Sequence, residues 1–340
     1  MERVFMRNSQ SKVTVNQPLS DFEQVRIKDS QNFKNRSSRW YLAQRSFRRH
    51  WQLYLIMLPA VLYFLVFKYI PMADAVIAFK NYNVIKGIWG SPWAGFKYFT
   101  LFFSNPVFWT LLKNTLGLSL YALLVGFPIP ILLAVCLNEI RDGFFKRTVQ
   151  MVTYAPYFIS TVVMVSMIIL LLSPRLGVAN LGLQAVGLHP VNFLGIPNIF
   201  PSIYVWSSVW QYSGYSAIVY LAALAGVDPQ LYEAAKIDGA SRLQKIFFID
   251  LPGIMPVIVI ILILNVGTLL GIGFEKIYLL QNPLNLGTSE IIATYVYKVG
   301  LLNANYSFAT AVGLFNSLIN MILLVLVNTF AKRVSDTSLW

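Results

Sequence analysis

The chain has 340 residues, 56% of them hydrophobic and only 12% charged, with a mean hydropathy of +0.60. Soluble domains carry about twice that charged fraction, so the composition excludes an ordinary water-soluble globular protein and indicates one embedded in a membrane. The formal net charge is +13, from 27 Lys and Arg against 14 Asp and Glu. This excess sits in a tail and beside apolar segments, where it meets anionic lipid head groups at roughly 1 kcal/mol per residue, rather than nucleic acid.

Residues 1–36 mix Ser, Asn, Gln, Lys and Asp without periodicity and are expected to be largely disordered. Residues 38–52 combine aromatics with Arg, as an interfacial helix or a simple tether would. The segment 1–50 therefore reads as a basic cytoplasmic tail, partly disordered. Six stretches beyond it reach the roughly 20 apolar residues that cross a ~30 Å hydrocarbon layer as helix. They lie near 53–73, 116–137, 149–172, 199–225, 251–272 and 308–330, and the first reads as an uncleaved span. Pro128, Pro130 and Pro156 fall inside spans, where each removes a helical hydrogen bond and kinks the helix.

The connections 74–106, 173–198 and 273–307 are rich in Pro, Gly and aromatics. They are expected to be non-helical chain that caps the bundle on its outer side, because such backbone cannot face lipid. Glu275 and Lys276 in the last of these read as a solvated ion pair near the outer surface. The segments 1–52, 138–148, 226–250 and 331–340 hold 19 of the 27 Lys and Arg. By the positive-inside rule this places both termini in the cytoplasm, and residues 333–340 form a short cytoplasmic tail. One cysteine, Cys136, and two distant histidines, His50 and His189, leave no thiol or imidazole metal cluster.

The loop 228–256 carries the most specific pattern. Asp228-Pro229 is a helix start, an N-cap carboxylate followed by a proline where no N–H is needed. A short helix to Asp238 ends at Gly239, and Leu243, Ile246 and Phe247 then mark a second amphipathic helix leading to Leu251-Pro252. Small Ala234, Ala235 and Ala240 permit close approach of another protein, while Glu233, Lys236, Asp238 and Arg242 offer charge for register.

The run Glu233-Ala234-Ala235, followed by Asp238-Gly239-Ala240 and a hydrophobic stretch ending Leu251-Pro252, resembles the EAA motif of the inner-membrane permeases of bacterial binding-protein-dependent ABC importers. The resemblance covers about residues 50–335. It implies an all-α polytopic fold of six transmembrane helices, the type I (MetI-like) importer domain, over residues 51–332. It further implies that Glu233, Ala234, Ala235, Asp238, Gly239 and Ala240 couple to a cytosolic ATPase. The stretches Gly273–Leu284 and Thr294–Tyr297 are similar to the carbohydrate-uptake branch, in particular permeases for complex oligosaccharides. The implied setting is the bacterial inner membrane, with a second permease, usually a different chain, two ATPase subunits and an extracytoplasmic solute-binding protein. ATP and Mg would be held by the ATPases, since this chain has no phosphate-binding Gly-x-x-x-x-Gly-Lys-[Ser/Thr] loop. No cofactor or metal is expected in this chain itself.

Polar side chains at membrane depth are costly and usually face a bundle interior or a cavity. Ser208, Trp210, Gln211, Tyr212 and Tyr215 in the fourth span, with Asn265 and Thr268 in the fifth, are candidate pathway residues. In the maltose-type members of the family, contacts come from the helices on either side of the coupling loop, and these positions lie at the matching depth. Hydroxyls of a neutral sugar suit amides, and its C–H faces suit aromatic rings. The alternative for each is interhelical packing, and Asn316 and Asn320 are assigned to packing or to a face toward a partner. The expected function is a non-catalytic permease subunit importing a carbohydrate. A non-sugar solute is the alternative, and an intramembrane enzyme or channel is more remote, since neither His-Glu-x-x-His nor Gly-x-Ser-x-Gly occurs.

Overall fold

A computed structural model describes residues 47 and 49–334. Most of the expected basic tail over 1–50, most of the interfacial segment 38–52, and residues 335–340 of the expected C-terminal tail lie outside the described residues. The chain divides between Ala73 and Asp74 into two compact units. In the first, α1 (Trp51–Phe64) runs on through a π turn (Leu65–Tyr69) and is apolar on every side, as a lipid-facing helix is.

The second unit is helical throughout, and its described residues form no strand beyond an isolated bridge between Lys80 and Trp93. Its principal helices are α2 (Phe108–Gly126), α3 (Pro128–Glu139), α4 (Phe144–Tyr154), α5 (Thr161–Leu171) and α6 (Phe200–Leu224). After these come α7 (Pro229–Ile237), α8 (Arg242–Lys245), α9 (Leu251–Gly267), α10 (Phe274–Leu280), α11 (Ile292–Tyr297) and α12 (Tyr306–Val334). Large apolar side chains such as Leu124, Leu132 and Leu326 are exposed, the inverse of a soluble surface.

Among the described residues, four helical runs are long and apolar enough to cross a membrane: Trp51–Phe79, Phe108–Glu139, Arg242–Gly267 and Tyr306–Arg333. The segment expected as one span over 149–172, kinked at Pro156, is instead two helices, α4 and α5, bent by 100°. Pro156 sits in a tight 3-10 turn, Ile159 is extended, and Ser160 caps a new helix by accepting from the Val163 N–H at 3.4 Å. Taken together, that pair makes a fifth candidate span. Helix α6 has 25 residues but is less apolar than these runs, with Ser207, Ser208, Gln211 and Ser213 interrupting it.

The expectation of non-helical outer connections is also corrected. They fold into short helices, including Lys97–Phe103, Val178–Ala185, α10 and α11. Their apolar residues recur at helical spacing and find burial: Phe102 joins Phe108, Leu111, Ile292 and Phe308, while Ile277 and Leu280 join Met164, Ile168 and Tyr204. A third cluster sets Ile131, Ala134 and Val135 of α3 against Ala217, Tyr220 and Leu224 of α6 and Ile254 of α9.

Lipid is as apolar as leucine, so helix association here depends on close packing and interhelical hydrogen bonds. Gly214 lets α6 approach the end of α4 so closely that a Cβ there would overlap the Thr153 carbonyl. Buried Thr115 on α2 accepts from the Ile292 N–H at 3.0 Å and donates to the Leu111 carbonyl at 2.7 Å. Asn320 accepts from the Leu270 N–H at 3.0 Å, the packing role that is one of the two expected for it. The Asn316 Oδ1 is buried without a hydrogen-bond partner.

Candidate functional site

The loop 228–256 is rigid by construction. Asp228 accepts from the Gln230 N–H at 2.9 Å, capping α7 at the start. At its end Gly239 takes φ +71°, and two backbone bonds close the turn, from the Gly239 N–H to the Lys236 carbonyl at 3.3 Å and from the Ala240 N–H to the Ala235 carbonyl at 2.9 Å. That pairing is a Schellman motif, open to glycine at no steric penalty. A capping box between Ser241 and Gln244 starts α8, with the Ser241 N–H donating to Gln244 Oε1 at 2.7 Å. A π turn over Ile246–Asp250 then leads straight into α9.

Two polar contacts brace this loop, one within it and one to the bundle. The Tyr232 hydroxyl donates to Asp250 Oδ1 at 2.5 Å, and Lys245 pairs with Glu139 of α3 at 3.2 Å. Burial pushes the Tyr232 phenol upward, and neighbouring Asp250 adds to it, so the hydroxyl remains a donor throughout the neutral range. The outward side is different in kind. Glu233, Ala234, Asp238 and Gly239 are exposed, Ala235 and Ala240 are half-buried, and Leu231, Ile237, Leu243, Phe247 and Phe248 stand exposed around them. Ile237 is 86% exposed and Phe248 78%, large apolar side chains on a charged loop that are suited to protein contact.

The polar residues singled out in the spans fall into three groups. Tyr215, Asn265 and Thr268 line one cavity of about 540 Å³, together with Ser119, whose buried hydroxyl has no partner. Ser208 and Tyr212 line a smaller pocket of about 150 Å³. The two spaces share Ala122, Gly126, Pro130 and Ser216 as lining. Gln211 lines neither: it is 1% exposed and donates to the Ile159 carbonyl at 2.9 Å, satisfying backbone freed by the break between α4 and α5. Trp210 is exposed on α6 and also lies outside both cavities.

Two features escaped the sequence. Tyr157, in the turn before that break, stacks on Tyr215 with ring centroids 3.8 Å apart and planes 8° from parallel. Lys276 is 4% exposed, so the expected solvated pair with Glu275 does not form. Its ammonium instead donates to Ser208 Oγ at 3.0 Å and Gln211 Oε1 at 3.5 Å. The available signal was helical spacing: Lys276 shares its face with Leu280 and adjoins Ile277, both buried.

Residues 126–336 match the model of the family described as binding-protein-dependent transport system inner membrane component. The chain is 46% identical over 288 residues to the polygalacturonan/rhamnogalacturonan transport system permease protein YteP of Bacillus subtilis, covering 85% of this chain and 90% of that one. Among solved structures it is similar to a chain of a bacterial ABC transporter involved in the import of the acidic polysaccharide alginate, with a TM-score of 0.80 and 40% identity over 86% of this chain and 98% of that one. The same fit, at TM-score 0.80 and 40% identity over 87% and 99%, holds for the bacterial alginate ABC transporter in complex with an alginate pentasaccharide-bound periplasmic protein. Family match and identity over most of the chain agree with the loop geometry: this protein belongs to the binding-protein-dependent transport system inner membrane components, the non-catalytic permeases of ABC transporters.

Proposed function

We propose that this chain is one permease of an ATP-driven importer that carries an oligosaccharide across the bacterial inner membrane. The observation that carries the reading is the loop 228–256, a doubly capped helix pair with exposed apolar side chains, braced internally by Tyr232–Asp250 and to the bundle by Lys245–Glu139. A coupling element needs that combination, because a coil would absorb a push that a capped helix transmits. Family membership and the saccharide-handling relatives support it.

In this reading Glu233, Ala234, Ala235, Asp238, Gly239 and Ala240 seat in one of two cytosolic ATPase subunits, which bind ATP and Mg. Helix α6 is the fourth span along the chain and completes the set of six, and both termini lie in the cytoplasm. A second permease, a different chain, completes the pathway, and an extracytoplasmic binding protein delivers the sugar. Closure of the ATPases draws the loops together, and the braces pass that movement to α3 and α9. Tyr215, Asn265 and Thr268, with Ser208 and Tyr212 beside them, present the hydroxyls, amide and ring faces that a sugar requires. Gln211 holds the helix break rather than the sugar, and exposed Trp210 faces the partner permease or the solute.

The test is reconstitution of the complete importer in proteoliposomes with its binding protein. ATP-dependent accumulation of an oligosaccharide is expected. Accumulation without nucleotide, or none with any saccharide, refutes the proposal.

A further inference from the structure

The described residues form ion pairs at Lys146–Asp142, Lys245–Glu139 and Lys298–Glu290, and none includes Lys276. Yet Lys276 is 4% exposed, against neutral neighbours: Ser208 Oγ, Gln211 Oε1 and the ring of Tyr204, whose centroid lies 5.9 Å from the ammonium. Burying a charge without a counter-charge is strongly unfavourable. Packing alone does not call for it, since methionine would fill similar volume. Carboxylates were at hand as well. Glu275 is the preceding residue, and Glu290 in the same connection is spent on Lys298.

The surroundings of Lys276 say what the missing counter-charge is. An ammonium has three N–H donors, and two have partners here. Ser208, which accepts one of them, also lines the 150 Å³ pocket with Tyr212, Ser213 and Ser216. The Ser208 hydroxyl proton now points to the Tyr204 carbonyl at 2.8 Å, and a hydroxyl rotor can turn it toward a better acceptor. That pocket shares walls with the 540 Å³ cavity of Tyr215, Asn265 and Thr268.

We propose that Lys276 is a specificity-determining charge for the solute: acting through Ser208, it selects saccharides that bear carboxylates, chains of uronic acids, over neutral chains of equal size. This rests on the importer reading above. In a low-dielectric interior, a unit charge about 6 Å from a carboxylate changes its affinity on the order of tenfold to a hundredfold.

The test uses the complete importer in proteoliposomes, with its own binding protein at saturation, and two probes: trigalacturonate and its fully methyl-esterified form, equal in length but uncharged. Wild type is expected to carry the acid. Lys276→Met should lower acid transport at least about tenfold and change ester transport less than about twofold, and Lys276→Arg should restore much of the loss. Equal effects of Lys276→Met on both probes, or none on either, overturn the proposal. If Lys276→Met does not assemble, Ser208→Asp decides, because it supplies a carboxylate within reach of the ammonium while leaving Lys276 in place. Loss of the acid preference in that variant supports the proposal, and retention overturns it. A wild type that carries only the ester overturns this proposal and leaves the importer reading standing. A wild type that carries neither these probes nor any other saccharide defeats both.

Discussion

Gly239 offers the cleanest perturbation of the coupling loop. Its φ of +71° is open to glycine, and an added Cβ would meet nothing within 4 Å, so the cost of substitution is conformational rather than steric. Alanine in that left-handed region costs about 1–2 kcal/mol. Proline fixes φ near −65° and has no N–H. It therefore loses the bond to the Lys236 carbonyl, and the altered chain direction pulls the Ala240 N–H off the Ala235 carbonyl. With two net hydrogen bonds at about 1 kcal/mol each added to the backbone term, the total is about 3–4 kcal/mol. At 1.4 kcal/mol per factor of ten, alanine should shift the turn about tenfold away from its capped form, and proline several hundredfold. The assay is ATP-driven uptake in proteoliposomes, alongside retention of the ATPase through a detergent wash. Gly239→Ala should reduce both partially and Gly239→Pro should abolish uptake, with membrane insertion normal in each. Gly143, extended at φ 171° and with open space around it, is the control, and Gly143→Ala should behave as wild type. Wild-type uptake by Gly239→Pro would refute the reasoning.

Glu233 is exposed and belongs to none of the ion pairs among the described residues, so Glu233→Lys should release the ATPase without changing the melting temperature in detergent. A changed melting temperature with the ATPase retained would contradict that. Tyr232→Phe removes the hydroxyl from Asp250, whose Oδ2 already has no partner. The buried carboxylate left behind should cost about 1–3 kcal/mol, seen as a lower melting temperature and as ATP hydrolysis less tightly linked to uptake. Gly214→Ala forces α6 away from the Thr153 carbonyl, with an expected cost of about 1–3 kcal/mol and reduced folded yield; unchanged yield and melting would show that the close approach is unimportant. Asn265→Ala alters the wall of the 540 Å³ cavity. It should slow transport while the binding protein's affinity for the sugar is untouched, and full transport would move the pathway elsewhere.

What could be read from sequence follows from how local each determinant is. The caps at Asp228 and Gly239 are set by a few consecutive residues, and the structure places them as the sequence indicates. Apolar runs announced five of the six expected spans as long helices, four of them apolar enough to cross a membrane. The break at Ile159 was only half legible. Pro156 marks a kink, but the 100° turn also needs Ser160 as a new cap and Gln211, 52 residues away, to satisfy the Ile159 carbonyl. Lys276 was misjudged because its neighbour in sequence is Glu275, whereas its neighbour in space, Ser208, is 68 residues distant. The short helices of the outer connections were hidden for a related reason. Gly and Pro punctuate them, and burial of Ile277, Leu280 and Ile292 in clusters built by other helices overrides that local signal.

Helix α6 belongs to two cores at once. Near its start Phe200 and Tyr204 pack with α5 and α10, and near its end Tyr220 and Leu224 pack with α3 and α9. Close-packed interiors yield little, so the helix acts as a shared axle: a tilt imposed on one bearing must be accommodated by the other. Influence along such a shaft runs both ways with equal free energy. Occupancy near Tyr204 should therefore bias the posture of the chain leaving Leu224 as strongly as that posture biases occupancy.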